Sequence, residues 1–129
     1  MDAFMTEDLI LSTDERLTRS FKKSELACPC CGKCEMDPEF LNRLQVWRDL
    51  LGAPVSLASG YRCHEHNKKV GGNPGSMHLQ GKAADPRIIP AMRFRMIELA
   101  HKLEFSGIGL GKTKLHIDTS PVRNRSWAY

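Results

Sequence analysis

The sequence predicts an α+β domain, and two observations carry that reading. Apolar residues recur at helical spacing over residues 38–51 and 90–103, while short stretches of strand character lie before, between and after them. The two kinds of segment do not alternate regularly, as a parallel βαβ fold would require. The chain of 129 residues is about one domain's worth of material.

Residues 1–27 read as a mixed leader in which Leu9, Ile10, Leu11, Leu17, Phe21 and Leu26 are available to pack on the body. The first helix starts at Asp37-Pro38, an N-cap followed by proline at the first helical position. Phe40, Leu44, Trp47 and Leu51 then share one face, and Gly52 closes the helix. Residues 54–59 form a short strand ending at Gly60. A short helix or turn over 63–70 is stopped by Gly71-Gly72. Asn73-Pro-Gly75 is a turn, 79–88 a second extended segment, and Pro90 opens a helix to about Leu103 with Met92, Met96, Leu99 and Leu103 as its buried stripe. Ile108-Gly-Leu and residues 114–118 are two further strands joined by a Gly-Lys turn.

Composition narrows the function classes. With 41% hydrophobic and 26% charged residues of both signs, the chain has the means to fold, and no apolar run is long enough to span a bilayer. The acidic start, Met1-Asp-Ala-Phe-Met-Thr-Glu-Asp, is unlike a secretory signal. The expectation is cytoplasmic synthesis, with any action on a cell wall needing another route of release. A net charge of +4 favours anionic partners only mildly; basic residues form no long run and aromatics do not interleave with them. No nucleic-acid partner is expected, and the chain is expected to be a monomer.

Four of the five cysteines fall in Cys28-Pro-Cys30-Cys31-Gly-Lys-Cys34, and the fifth is Cys63. Two overlapping Cys-x2-Cys pairs can hold zinc, with Cys63, His64 or His66 as remote ligands. A disulfide from the cluster to Cys63 and a set of free thiols are the alternatives, and spacing does not choose among them.

The chemistry is concentrated elsewhere. His78 is followed seven residues later by Asp85, in an extended stretch broken at Gly81, which lets both side chains turn toward one point. His116 lies between Leu115 and Ile117 in a strand, so its imidazole faces away from them. Two histidines and one aspartate are the ligand set of a catalytic zinc with an open fourth position. His64, His66 and His101 are read as ordinary surface or core residues.

These residues, with their neighbours, resemble the zinc D-Ala-D-Ala carboxypeptidase and peptidoglycan peptidase family, which includes phage endolysins and whose fold hedgehog signalling domains share. The resemblance rests on Ser59-Gly-Tyr-Arg62, Asn67, Gly71-Gly72, Ser76-x-His78, Gly81-x-Ala-Ala-Asp85 and His116-Ile-Asp118, in that order, over roughly residues 20–120. It implies a small hedgehog-like, DD-peptidase-like domain with a central antiparallel sheet and flanking helices. It implies one catalytic zinc on His78, Asp85 and His116; a second ion on the cysteines, read from their spacing alone, is a lesser possibility. The activity implied is hydrolysis of peptidoglycan stem peptides or cross-links at or near D-amino acids, as carboxypeptidase or endopeptidase, in a phage or bacterial setting. A non-catalytic zinc-binding module of the same fold is the alternative. Arg62 takes the role of anchoring substrate, and Ser76 that of binding substrate or holding the ligand loop.

The sequence departs from the family where many members carry a general base. The position three before the last histidine is Thr113, and the position two before it is Lys114. Asp118 is the nearest carboxylate, as base or as a partner that orients His116, with Glu65 and His66 as outside candidates. Asp85 is followed by Pro86, which predicts an edge strand or a bulge.

Overall fold

The structure is a computed structural model and describes residues 14–122 and 124–129. Leu9, Ile10 and Leu11 lie outside the described residues. Of the remaining leader positions, Phe21 and Leu26 are buried and Leu17 packs partly on the core. A short helix α1, Lys23–Leu26, precedes the long helix α2, Pro38–Leu51. The Asp37 carboxylate accepts from Phe40 N at 2.9 Å, and Gly52 ends the helix in the left-handed conformation, as the sequence signals require. Helix α3, His64–Lys69, follows the first strand, and α4, Arg93–Lys102, is entered through a 3-10 turn at Pro90–Met92. The extended stretch expected over 79–88 is shorter than that, because residues 77–80 coil into a 3-10 turn first.

Five strands form one sheet: β1 Leu57–Ser59, β2 Ala83–Pro86, β3 Gly107–Leu110, β4 Leu115–Asp118 and β5 Arg125–Ala128, in the order β1-β2-β4-β3-β5. All neighbours are antiparallel except β3 and β5, which run parallel, so the sheet is not wholly antiparallel. Pro86 sits within β2, an interior strand. Its missing N–H is accommodated by the register shift between Leu57 and Ser59 of the edge strand β1.

Helices α2 and α4 cover one face of the sheet. Phe40, Leu44, Trp47 and Leu51 meet Met96 and Leu99, and together they pack on Ala84, Ile108, Leu115 and Ile117. Met92 and Leu103, the ends of the expected α4 stripe, are only half-buried against this core. Burying Leu115 and Ile117 is worth roughly 1.5–3 kcal/mol each, and this fixes the parity of β4. A one-residue slip would push His116 and Asp118 into the apolar layer. The opposite face of β2, β3 and β4 is therefore left for polar side chains.

Candidate active site

His78, Asp85 and His116 come together on that second face, each offering one ligand atom within 4.8 Å of the others. The 3-10 turn at Met77–Gln80 carries His78. Ser76 Oγ accepts from His78 N at 3.2 Å, and Gly81 ends the turn with a φ of 69°. Gly81 is pressed so closely against the segment before α2 that a Cβ would lie 1.9 Å from Glu35 O. That tight return sends the chain into β2 and brings Asp85 back under His78. His116 arrives from the neighbouring strand, since Ala84 pairs with Ile117 and places their flanking residues side by side.

Hydrogen bonding decides which nitrogen of each ring carries the proton. His78 Nδ1 lies 2.6 Å from Gly60 O, a carbonyl that only accepts, so this nitrogen is protonated and Nε2 presents a lone pair. His116 Nε2 lies 2.7 Å from Asp118 Oδ2, which leaves the lone pair on Nδ1. Both lone pairs point at Asp85 Oδ1, from 3.2 Å and 3.0 Å respectively. With both rings neutral, these two lone pairs and the carboxylate face one another, an arrangement that a cation between them would satisfy. Two imidazoles and a carboxylate, each nitrogen with its other side tied, are the donor set of a zinc centre, so the residues present fit the ion that the sequence implies.

A proton on His116 can also serve in the cation's place, as the charges show. Burial would raise the Asp85 pKa, yet the His116 and His78 rings hold it well below the usual carboxylate range. Burial depresses the His116 imidazolium, but the Asp118 and Asp85 carboxylates more than offset that and raise its pKa. Arg62 approaches Asp85 from the far side, with Nη2 at 3.4 Å from Oδ2, while its Nε donates to Ser59 Oγ and its Nη1 to Asn67 Oδ1, both at 3.2 Å. Lys114 Nζ stands 3.8 Å from the same carboxylate oxygen.

Asp118 and His116, two residues apart on one face of β4, meet directly. The Asp118 carboxylate also accepts from Arg125 Nη2 at 2.8 and 3.0 Å and from Ser120 N at 3.0 Å. Burial raises its pKa, and His116, Ser120 and Arg125 together bring it below the usual value. It is the second carboxylate of a cleft of about 740 Å³ that also receives Arg62, Ser76, Lys114, Trp127 and Tyr129. No other aspartate or glutamate among the described residues lines that cleft. Glu65 lies elsewhere, in a smaller depression with Cys30, Lys68 and Lys69, and His66 lines neither, so the outside candidates for a base do not reach the site.

Strand β5 is the part that sequence reading missed. Arg125 holds Asp118, the Trp127 ring lies 5.2 Å from that of His116, and Tyr129 follows along the cleft wall. Burial, reinforced by the Asp85 charge, pushes the Tyr129 phenol up to about 12, so it stays a neutral donor. The signal was there: Arg125, Trp127 and Tyr129 alternate with period two, which puts them on one face of a strand. The matching face of β3 is cleared by glycine. A Cβ on Gly107 would meet the Asp118 carboxylate at 2.2 Å, and one on Gly109 would meet the Trp127 ring at 2.8 Å.

Comparison with known proteins gives this geometry a family. A protein from Haemophilus influenzae named probable peptidoglycan L,D-endopeptidase MepK is 30% identical over 99 residues, which cover 69% of this chain and 53% of that protein. The chain thus spans about half the length of that curated relative. The sequence profile of the family described as Peptidase M15 matches residues 8–120, a stretch that holds His78, Asp85 and His116, and the chain belongs to the peptidase M15 family.

Proposed function

We propose that this protein is a zinc-dependent peptidase that hydrolyses peptidoglycan stem peptides or cross-links at or near D-amino acids. The observation that carries the reading is the convergence of His78 Nε2, Asp85 Oδ1 and His116 Nδ1 at the floor of an open cleft. Family membership supports peptidase chemistry. The name of the Haemophilus relative supports a peptidoglycan substrate and favours cleavage as an endopeptidase. Zinc held by the three side chains supplies Lewis acidity to a scissile carbonyl and to water.

The chain's own residues do the rest. Arg62 uses three N–H groups on Ser59, Asn67 and Asp85 and has two left for a substrate carboxylate or carbonyl. Ser76 holds the His78 turn through its hydroxyl. Asp118 positions His116 and is itself held by Arg125. Trp127 and the neutral Tyr129 phenol form the wall beside His116.

One observation keeps a second reading, a zinc-binding module without catalysis. Of the two carboxylates in the cleft, Asp85 belongs to the ligand set and Asp118 is occupied by His116, Arg125 and Ser120. A single experiment separates the two readings. Purified sacculi are incubated with the protein, with and without a chelator, and released muropeptides are identified by mass. Release that the chelator abolishes and added zinc restores is the expected result. A protein that binds zinc and releases nothing is a binding module.

A further inference from the structure

A second group of metal-ligating side chains meets away from the cleft, where the leader crosses the end of β1. Tyr61 N donates to Leu26 O at 2.7 Å, and Gly60 passes so close that a Cβ would lie 2.7 Å from that carbonyl. This contact lays the turn after Leu26 beside Cys63. The turn is tight: Gly32 N donates to Cys28 O and Cys28 N to Lys33 O, both at 2.8 Å, and Gly32 takes a φ of 76°. Cys63 Sγ then lies 3.6 Å from Cys28 Sγ and 3.8 Å from Cys30 Sγ, with all three sulfurs within 4.8 Å of one another. Cys31, exposed in the same turn, stands outside that group of three and would have to swing toward it to act as a fourth ligand. Cys34 turns the other way and packs on the hydrophobic core.

Thiolates bound tetrahedrally at about 2.3 Å from zinc stand about 3.8 Å apart, and the two contacts of Cys63, with Cys28 and with Cys30, match that spacing. Lys68 and Lys69, partly offset by Glu65, share a surface depression with Cys30, a net positive setting suited to a four-thiolate zinc centre, which is anionic overall.

We propose that Cys28, Cys30, Cys31 and Cys63 bind a second, structural Zn2+ ion. Each thiol that coordinates releases its proton to solvent, and four protein ligands leave no open position for substrate. The ion would clip the leader to the residue next to Arg62, and so hold the guanidinium against Asp85. The inference does not depend on the peptidase reading.

The test counts metal in the full chain purified without added chelator, as wild type and as His116→Ala. One equivalent of zinc should remain in His116→Ala. A thiol-specific mercurial should release it, and cobalt in its place should give sulfur-to-cobalt charge-transfer absorption. Cys30→Ser and Cys31→Ser, both at exposed positions, should each lose that equivalent at low chelator concentrations that leave it in place in the Cys34→Ser control. The proposal is overturned if His116→Ala retains no zinc, if cobalt binds without thiolate absorption, or if the mass of the purified protein shows Cys28 and Cys63 joined as a disulfide. Sacculus digestion plays no part in these outcomes, so failure here leaves the cleft assignment standing.

Discussion

Asp85 is where the charges of the cleft converge, and its neighbours define what two other residues do. One carboxylate oxygen faces both imidazoles, and the other faces Arg62 and Lys114. A lysine at position 62 would keep the charge but could not reach Ser59, Asn67 and Asp85 together, because the forked geometry is lost. Arg62→Lys is expected to lower kcat/KM at least tenfold while retaining zinc at the cleft, read from steady-state kinetics beside elemental analysis. Wild-type kinetics would reduce Arg62 to a structural ion-pair partner. Asp118 makes a different case. It touches His116 through the nitrogen that faces away from the ligand cluster, so its effect passes through the imidazole. Asp118→Asn should cut activity ten- to a hundredfold and weaken zinc by a similar factor, as loss of an orienting partner does. Lost activity at unchanged zinc affinity would make Asp118 a base instead. Retention of both would remove it from the site altogether.

At the scale of elements, the turn between His78 and β2 matters most. Gly81 combines a left-handed φ with a backbone contact that a Cβ would overlap, whereas Gly52 has a similar φ and open space around it. The left-handed conformation alone costs a non-glycine residue roughly 1–3 kcal/mol. Gly52→Ala should therefore lose about that much, and Gly81→Ala should lose more, with reduced zinc affinity because Glu35 and the His78 turn are forced apart. Urea unfolding of the two variants side by side reads the difference; equal losses would mean that the contact at Gly81 relaxes freely. The same elements show what the sequence made legible. Capping and periodicity located α2 within a residue, because Asp37-Pro38 and Gly52 are local chemistry. Alternation around His116 gave its face, because Leu115 and Ile117 must be buried. The 3-10 turn at Met77–Gln80 was not legible, since its shape comes from a long-range contact with Glu35. Strand β5 escaped for a related reason. Its residues are exposed, and it exists by parallel pairing with β3. The grouping of Cys28, Cys30 and Cys63, without Cys34, likewise needed the crossing of the leader over Gly60.

The whole molecule divides its tasks between the two faces of one sheet. Helices α2 and α4 supply the apolar layer, and Trp47 joins them, fully buried, with its indole N–H donating to Met96 O at 3.1 Å. The ligand cluster on the other face hangs from β2, β4 and the His78 turn, and none of its hydrogen bonds reaches either helix. Stability and site geometry should therefore separate on mutation. Replacing a buried tryptophan by alanine typically costs about 3–5 kcal/mol, a large part of the roughly 5–15 kcal/mol that holds a domain of this size. Trp47→Ala should accordingly lower the melting temperature by on the order of 10 °C or more. At low temperature, where most of the variant remains folded, kcat/KM per folded molecule should stay within a few-fold of wild type, and zinc should be retained at the cleft. Thermal unfolding followed by circular dichroism gives the first quantity, and assays corrected for the folded fraction give the second. A loss of activity well beyond the unfolded fraction would mean that the helical layer shapes the site through the sheet, because strain from the emptied Trp47 position would then have to pass through Leu115 and Ile117 into His116.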